Sequence, residues 1–394
     1  MRREAQKVPL KALKMETRAR ILIGGDVCPI QRSEACFRQG DASAIFHDLL
    51  PEFERADLSI VNLECPLIAQ ESPIEKAGPA LGADRQCVNG LAAAHIDVVG
   101  LANNHILDHG PAGVLNTLEV CSRAGIETVG AGGDLAQARR ILIRTVNGIR
   151  IGMLAFADHE FSLATDTTAG ANPFYVREFI RGVRRHRNDY DYLIVLLHMG
   201  KEHYPYPSPE IQETCRFLAE EGANAVICQH SHCIGAWETY AGVHIVYGQG
   251  NLIFDQDFYT GEDWHKGYLV GLAIEQDGSS AMNIIPYLQS DGRVGARRMP
   301  PEEEKQLLSD LEDMAQQIQD RGFVRDQWEA FCKQYRYLYF SLLRGHKRLP
   351  RALNTRLHFS DLFYSPGARK MLYNIVVCQA HREVLKTILS GTQR

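Results

Sequence analysis

Five short polar clusters, each directly after an apolar run, constrain this chain more than any other feature. Gly25-Asp26-Val27-Cys28 follows Ile21-Leu22-Ile23, and Asn62-Leu63-Glu64 follows Leu58-Ser59-Ile60-Val61. Asn103-Asn104-His105 follows Val98-Val99-Gly100-Leu101, His198 follows Leu193-Ile194-Val195-Leu196-Leu197, and Gln229-His230-Ser231-His232 follows Ala225-Val226-Ile227-Cys228. Continuous apolar runs mark strands buried on both faces. In α/β sheets, binding sites form beyond the carboxyl ends of such strands. Five strand ends carrying Asp, Glu, Asn and His therefore point to one pocket whose donors suit a divalent metal.

The 394 residues allow one large domain plus a smaller one. A net charge of -5 argues against a general nucleic-acid or membrane-surface binder. The ten cysteines form no Cys-x-x-Cys pair, and several lie in apolar runs, so they read as reduced core thiols. The basic, polar stretch from Met1 to Ala19 has no apolar core of a secretory signal, and no run approaches the ~20 apolar residues that span a bilayer. A cytoplasmic protein is expected.

Residues 1–18 read as an N-terminal arm. From Arg20, strands and helices alternate, with helices expected over Ala44–Phe53, Val88–His95, Pro111–Arg123, Pro173–Arg185 and Pro209–Glu220. After His232 the pattern turns to strands: Val243–Tyr247, Asn251–Phe254, Gly267–Glu275 and Ala281–Leu288. The fold class is α/β, a layered α/β/β sandwich over residues 19–299 with added antiparallel strands. At Pro300-Pro301 the composition shifts to a helical extension, 300–394, with helices expected over Glu302–Arg321, Gln327–Leu343 and Ser365–Leu389. Its aromatic residues Tyr335, Tyr337, Tyr339 and Phe340 could cover the protein's own core or a partner.

Asp26 and Glu64 offer hard anionic oxygen, Asn104 a neutral amide oxygen, and His198, His230 and His232 imidazole nitrogen. This mixed set suits Mn, Fe, Zn or Co better than Mg or Ca. A carboxylate can bridge two cations, and such pairs clamp both oxygens of an in-line phosphoryl displacement. His105, directly after Asn104, is placed to protonate a leaving oxygen. Taken singly these residues have plainer uses: Asp26 as a turn or helix cap, Asn103-Asn104-His105 as a turn, a lone histidine as a structural residue. His95, His109, His159, His186, His244 and His265 lack the strand-end pairing and read as structural or surface residues. Gly130-Ala131-Gly132-Gly133 has no following Lys-Ser/Thr of a P-loop and reads as a turn.

In order and wording the clusters resemble the CapA family of bacterial capsule-synthesis proteins linked to poly-γ-glutamate, an offshoot of the calcineurin-like metallophosphoesterase superfamily. The resemblance rests on Gly25-Asp26-Val27, Asn62-Leu63-Glu64, Ala102 to Gly110, Leu197-His198-Met199-Gly200-Lys201-Glu202, His230-Ser231-His232 and Val246 to Phe254, and spans roughly residues 20–290. It implies a metallophosphatase-like sandwich. It also implies that Asp26 and His232 hold one ion, that Asn104, His198 and His230 hold a second, that Glu64 bridges them and that His105 is the acid. Glu202 would orient a ligand or bind substrate, and Asn251 would hydrogen-bond near the pocket. The wider superfamily carries Asp-x-His in its first block, where this chain has Asp26-Val27-Cys28. Cys28 is thus either a thiolate ligand or a small buried residue before Pro29.

The expected function is a metal-dependent hydrolase of one or two divalent ions (Mn, Fe or Zn). It would act on a phosphoester or related bond in capsule, polyglutamate or envelope polymer biosynthesis, alongside capsule- or envelope-synthesis proteins. The same ions could polarise an amide carbonyl. The alternative is a non-catalytic assembly factor for a polymer synthase or exporter.

Overall fold

A computed structural model of the chain describes residues 18–76, 78–256, 261–342 and 348–358, with 364, 365, 367–369, 372 and 376. Residues 1–17 of the expected arm, 1–18, lie outside them. So does the expected helix Ser365–Leu389, apart from those last few positions.

Two mixed sheets form the frame. The first runs in the order Ala296–Arg298, Ser280–Gln289, Lys266–Ile274, Ala19–Cys28, Leu58–Leu63, Val98–Gly100 and Glu127–Val129, and Asn251–Phe254 also pairs with Ala19–Cys28. From Ala19–Cys28 to Glu127–Val129 the strands are parallel. The strands after residue 265 join antiparallel. The second sheet runs Trp237–Tyr240, Val243–Val246, Ala225–Gln229, Tyr192–His198, Ile149–Ala157 and Leu142–Val146, with its middle four strands parallel.

Side chains alternate along a strand, and the Tyr192–His198 strand shows where each face goes. Tyr192, Ile194 and Leu196 join the core shared with the first sheet. Leu193, Val195 and Leu197 pack instead with Phe179, Val183, Cys215 and Leu218 of the helices Val176–His186 and Pro209–Glu220. On the first sheet's side, the helices Ala42–Phe46, Leu50–Arg55, Val88–Ala93 and Gly110–Arg123 supply Ile45, Phe53, Leu91 and Val114 to that same core. Helices, sheet, sheet, helices is therefore the layering, a layered α/β sandwich as the sequence predicts. Each buried aliphatic or aromatic side chain contributes about 1.5–3 kcal/mol, so these two cores dominate the stability.

The helix expected over Ala44–Phe53 is broken by a 3-10 turn at His47–Leu49. His47 takes a left-handed φ of 42° and Pro51 opens the second piece. The helix expected at Glu302 runs Pro301–Gln317. Leu311 joins the core around the first sheet and Ile318 the second core. The chain divides into two compact units after Arg325. In the second unit, Asn354 donates to Ser341 Oγ at 2.6 Å and to Tyr337 O at 2.9 Å, and the Tyr337 ring stacks on His358 at 3.9 Å. No helix among the described residues is long and apolar enough to cross a membrane. None of the nine described cysteines is in a disulfide, and seven are buried.

Candidate metal centre

The first donor is placed by a change of strand partner. Ala19–Ile23 pairs antiparallel with Ile274–Val270, whereas Asp26–Cys28 pairs parallel with Asn251–Phe254. The two glycines between make the exchange possible. A Cβ on Gly25 would stand 2.1 Å from the Gly250 carbonyl oxygen, and one on Gly24 2.6 Å from Leu252. Asp26 thereby emerges opposite Asn62 on one side and Asn251 on the other.

His198 ends the Tyr192–His198 strand on the inter-sheet face, by the same alternation that buries Ile194 and Leu196. His230 and His232 follow the adjacent strand and take left-handed φ values of 93° and 53°. Such backbone costs on the order of 1–3 kcal/mol per residue and persists only where the surroundings enforce it. Here it brings the His232 imidazole to the Asp26 and Glu64 carboxylates and the His230 imidazole to Glu64.

The pocket is buried and crowded with donors. His198 Nε2 lies 3.0 Å from Asn104 Oδ1, 3.1 Å from His230 Nδ1 and 3.8 Å from Glu64 Oε1. His232 Nε2 lies 3.5 Å from Glu64 Oε1, and its Nδ1 lies 3.7 Å from Asp26 Oδ2 and 2.8 Å from Asn251 Oδ1. The Asn62 amide donates to Asp26 Oδ1 at 2.8 Å, and the His230 N–H donates to Asp26 Oδ2 at 3.3 Å. Glu64 is fully buried, and neither carboxylate oxygen has a hydrogen-bond partner. A buried charge left unpaired this way is costly.

The electrostatics follow from burial. Desolvation, reinforced by the Asp26 carboxylate, pushes Glu64 well above the usual carboxylate range. Desolvation also raises Asp26, although His232 and Asn62 oppose it. Burial and the neighbouring imidazoles hold His198 well below its ordinary value and His230 at about 4. Both rings are therefore neutral near neutral pH, the state in which a histidine ligates a metal.

His105 is held from outside this ring. Its Nδ1 lies 2.6 Å from Asp108 Oδ2, and its N–H donates to Asn103 Oδ1. Asp108 also receives the Leu81 N–H at 2.7 Å and the ammonium of Lys76 at 2.6 Å. Lys76 in turn donates to the Asn104 carbonyl at 3.2 Å.

Among the described residues three groups have ligand atoms all within 4.8 Å of one another: Asp26, Glu64 and His232; Glu64, His198 and His230; and Glu202, His230 and His232. Metal–ligand bonds of about 2.0–2.2 Å set neighbouring donors roughly 3.0–3.6 Å apart, close to the separations above. The unpartnered Glu64 oxygens and the neutral imidazoles fit a divalent cation.

Asp26, Glu64, Asn104, His198, His230 and His232 thus lie together. His105 adjoins them, Asn251 bonds His232, and Glu202 stands by both histidines of the His-Ser-His segment. Cys28 stands apart: its thiol is buried beside Cys65, with desolvation holding it well above the usual thiol range. It belongs to none of the three groups. Asn62, Asp108, Lys76 and Glu160 had no role in the sequence reading, and the Glu160 carboxylate accepts from the Asn104 amide at 3.4 Å. Asn62 and Asp108 lie inside the conspicuous motifs and could have been suspected. Lys76 and Glu160 carry no local signal.

The chain is 25% identical over 293 residues to the Capsule biosynthesis protein CapA of Bacillus anthracis, covering 72% of this chain and 70% of that one. It is 27% identical to the PGA biosynthesis protein CapA of Bacillus subtilis (strain 168), over 66% of this chain and 69% of that one. A 5'-nucleotidase precursor from Thermus thermophilus superposes with a TM-score of 0.41 at 13% identity, over 82% of this chain and 59% of that one. Residues 20–256 match the family described as bacterial capsule synthesis protein PGA_cap, and the chain belongs to that family.

Proposed function

We propose that this protein is a divalent-metal-dependent hydrolase that cleaves a phosphoester or related bond in the biosynthesis of a capsule or polyglutamate polymer. The observation that carries the reading is Glu64, a buried carboxylate with both oxygens unpartnered among Asp26, His198, His230 and His232. The polymer context rests on the family and on the names of the Bacillus relatives.

Asp26, Glu64 and His232 would hold one ion, and Glu64, Asn104, His198 and His230 a second, with Glu64 common to both. When bound, the metal supplies Lewis-acid polarisation of a phosphoryl or carbonyl oxygen. Asn62 fixes the Asp26 carboxylate, and Asn251 fixes the His232 ring. Such outer contacts orient ligands. Asp108 engages Nδ1 of His105 and so selects Nε2 as the nitrogen that delivers a proton to the leaving oxygen.

Turnover of an aryl phosphodiester with added Mn²⁺ tests the reading. Wild-type activity that His105→Ala lowers supports it, and equal inactivity of both proteins across metals and substrates overturns it. A second reading, a non-catalytic assembly factor for a polymer synthase or exporter, is favoured by the withdrawal of Cys28 into the core, which leaves one cation position a donor short. Metal-loaded protein without turnover supports that reading.

A further inference from the structure

Beyond His198 the chain passes through Gly200, whose φ of 126° side chains rarely adopt. It then returns to the histidine segment. The His203 N–H donates to the Ser231 carbonyl at 2.7 Å, and the Ala236 N–H donates to the Pro205 carbonyl at 2.9 Å. These bonds tie residues 203–205 to the segment that carries His230 and His232. Glu202 is pinned between Gly200 and that tether, and a carboxylate oxygen of it meets the rings of His230 and His232 within 4.8 Å.

A second observation gives this placement a use. The group Asp26, Glu64 and His232 offers three protein donors, half of what an octahedral oxygen-rich Mn²⁺ site takes. The residue at the expected fourth offset, Cys28, is buried beside Cys65. Glu202 shares His232 with this group.

We propose that Glu202 is a direct ligand of the cation held by Asp26, Glu64 and His232, supplying the donor that Cys28 withholds. The proposal rests on the metal-centre reading given above. It has a chemical consequence. With Glu202 the position has three carboxylates and one imidazole, an oxygen-rich set that favours Mn²⁺. The position of Asn104, His198 and His230 keeps more nitrogen and favours Zn²⁺.

Full-length protein stripped with chelator and titrated calorimetrically with Mn²⁺ alone tests the assignment. Wild type, Glu202→Gln, Glu202→His and Cys28→Ser are compared, with circular dichroism confirming that each is folded. The expected result is that Glu202→Gln weakens one Mn²⁺ by at least the 10–100-fold that even outer-shell losses cost. Glu202→His recovers binding, and Cys28→Ser binds as wild type does. Unchanged Mn²⁺ affinity in Glu202→Gln, or loss of an ion in Cys28→Ser, overturns the assignment and leaves the metal centre standing. A wild-type protein that takes up no Mn²⁺ overturns both.

Discussion

Oε1 of Glu64 lies 3.5 Å from Nε2 of His232, inside a pocket where the carboxylate is fully buried and unpartnered. Residues that follow strands of the two different sheets are thereby brought together around a carboxyl that folding buries without a partner. Replacing that carboxyl has opposite effects with and without metal. Glu64→Gln is expected to abolish Mn²⁺ binding. Stabilisation by Mn²⁺, about 2.7 kcal/mol at a hundredfold excess over Kd, is expected in wild type and absent in the variant, as measured by thermal unfolding.

The same carboxylate sets a pH dependence. Glu64 and Asp26 are raised above their ordinary values of 4.5 and 3.8. In the metal-free fold they keep protons that the unfolded chain has released, so their contribution is full below those values and lost as pH rises. His198 and His230 run the other way: their contribution is full above the ordinary 6.5 and is lost as pH falls, for His230 through about 4. Metal-free Glu64→Gln isolates the first effect. It is expected to be more stable than wild type at about pH 8, with the gap narrowing on acidification. Chemical denaturation across pH checks this, and a gap that widens in acid contradicts it.

The Asp108–His105 contact of 2.6 Å makes a kinetic prediction. His105→Ala and Asp108→Asn are expected to slow hydrolysis by about 10²–10⁴-fold for alkyl leaving groups, the usual scale of general acid catalysis. The loss should be smaller for nitrophenyl esters, whose leaving oxygen needs little protonation. A loss equal for both ester types, measured as kcat/KM, contradicts the acid role.

Gly25→Ala probes how the first donor is delivered. Its Cβ would meet the Gly250 oxygen at 2.1 Å, a backbone contact that cannot rotate away. A destabilisation of about 1–3 kcal/mol or more is expected from such overpacking. Mn²⁺ affinity should fall with it, because Asp26 moves with the strand. Urea unfolding and metal titration of the one variant measure both effects.

Far from the centre, Arg216 forms a two-pronged ion pair with Glu238 at 2.9 and 2.7 Å, and Tyr247 Oη donates to the same carboxylate. Glu238 is almost wholly buried. Arg216→Met is expected to cost about 3–5 kcal/mol in denaturant unfolding, because it strands a buried charge. Turnover by the protein that remains folded should be unchanged.

Much of the fold and of the centre was legible because strand ends announce themselves. The apolar run Leu193–Leu197 placed His198, and alternation fixed the face it presents. Asp26, Glu64 and the His-x-His pair were readable for the same reason. Cys28 was left open between a thiolate ligand and a small buried residue before Pro29, because its offset from Asp26 allows either. Its side chain meets Cys65 in the core. Lys76 was invisible because it acts across 32 residues from a loop without periodicity. The left-handed backbone of His230 and His232 was also hidden, since histidine does not demand that conformation. The break at His47 depended on a local turn, which apolar periodicity does not report.

Manganese-edge anomalous diffraction from crystals of the full-length protein grown with Mn²⁺ tests the central claim most directly. The expected result is an anomalous peak at about 2.0–2.2 Å from a Glu64 carboxylate oxygen, flanked by His232 or by His198 and His230. A map with no peak in that pocket, while Mn²⁺ is bound elsewhere or not at all, would contradict it.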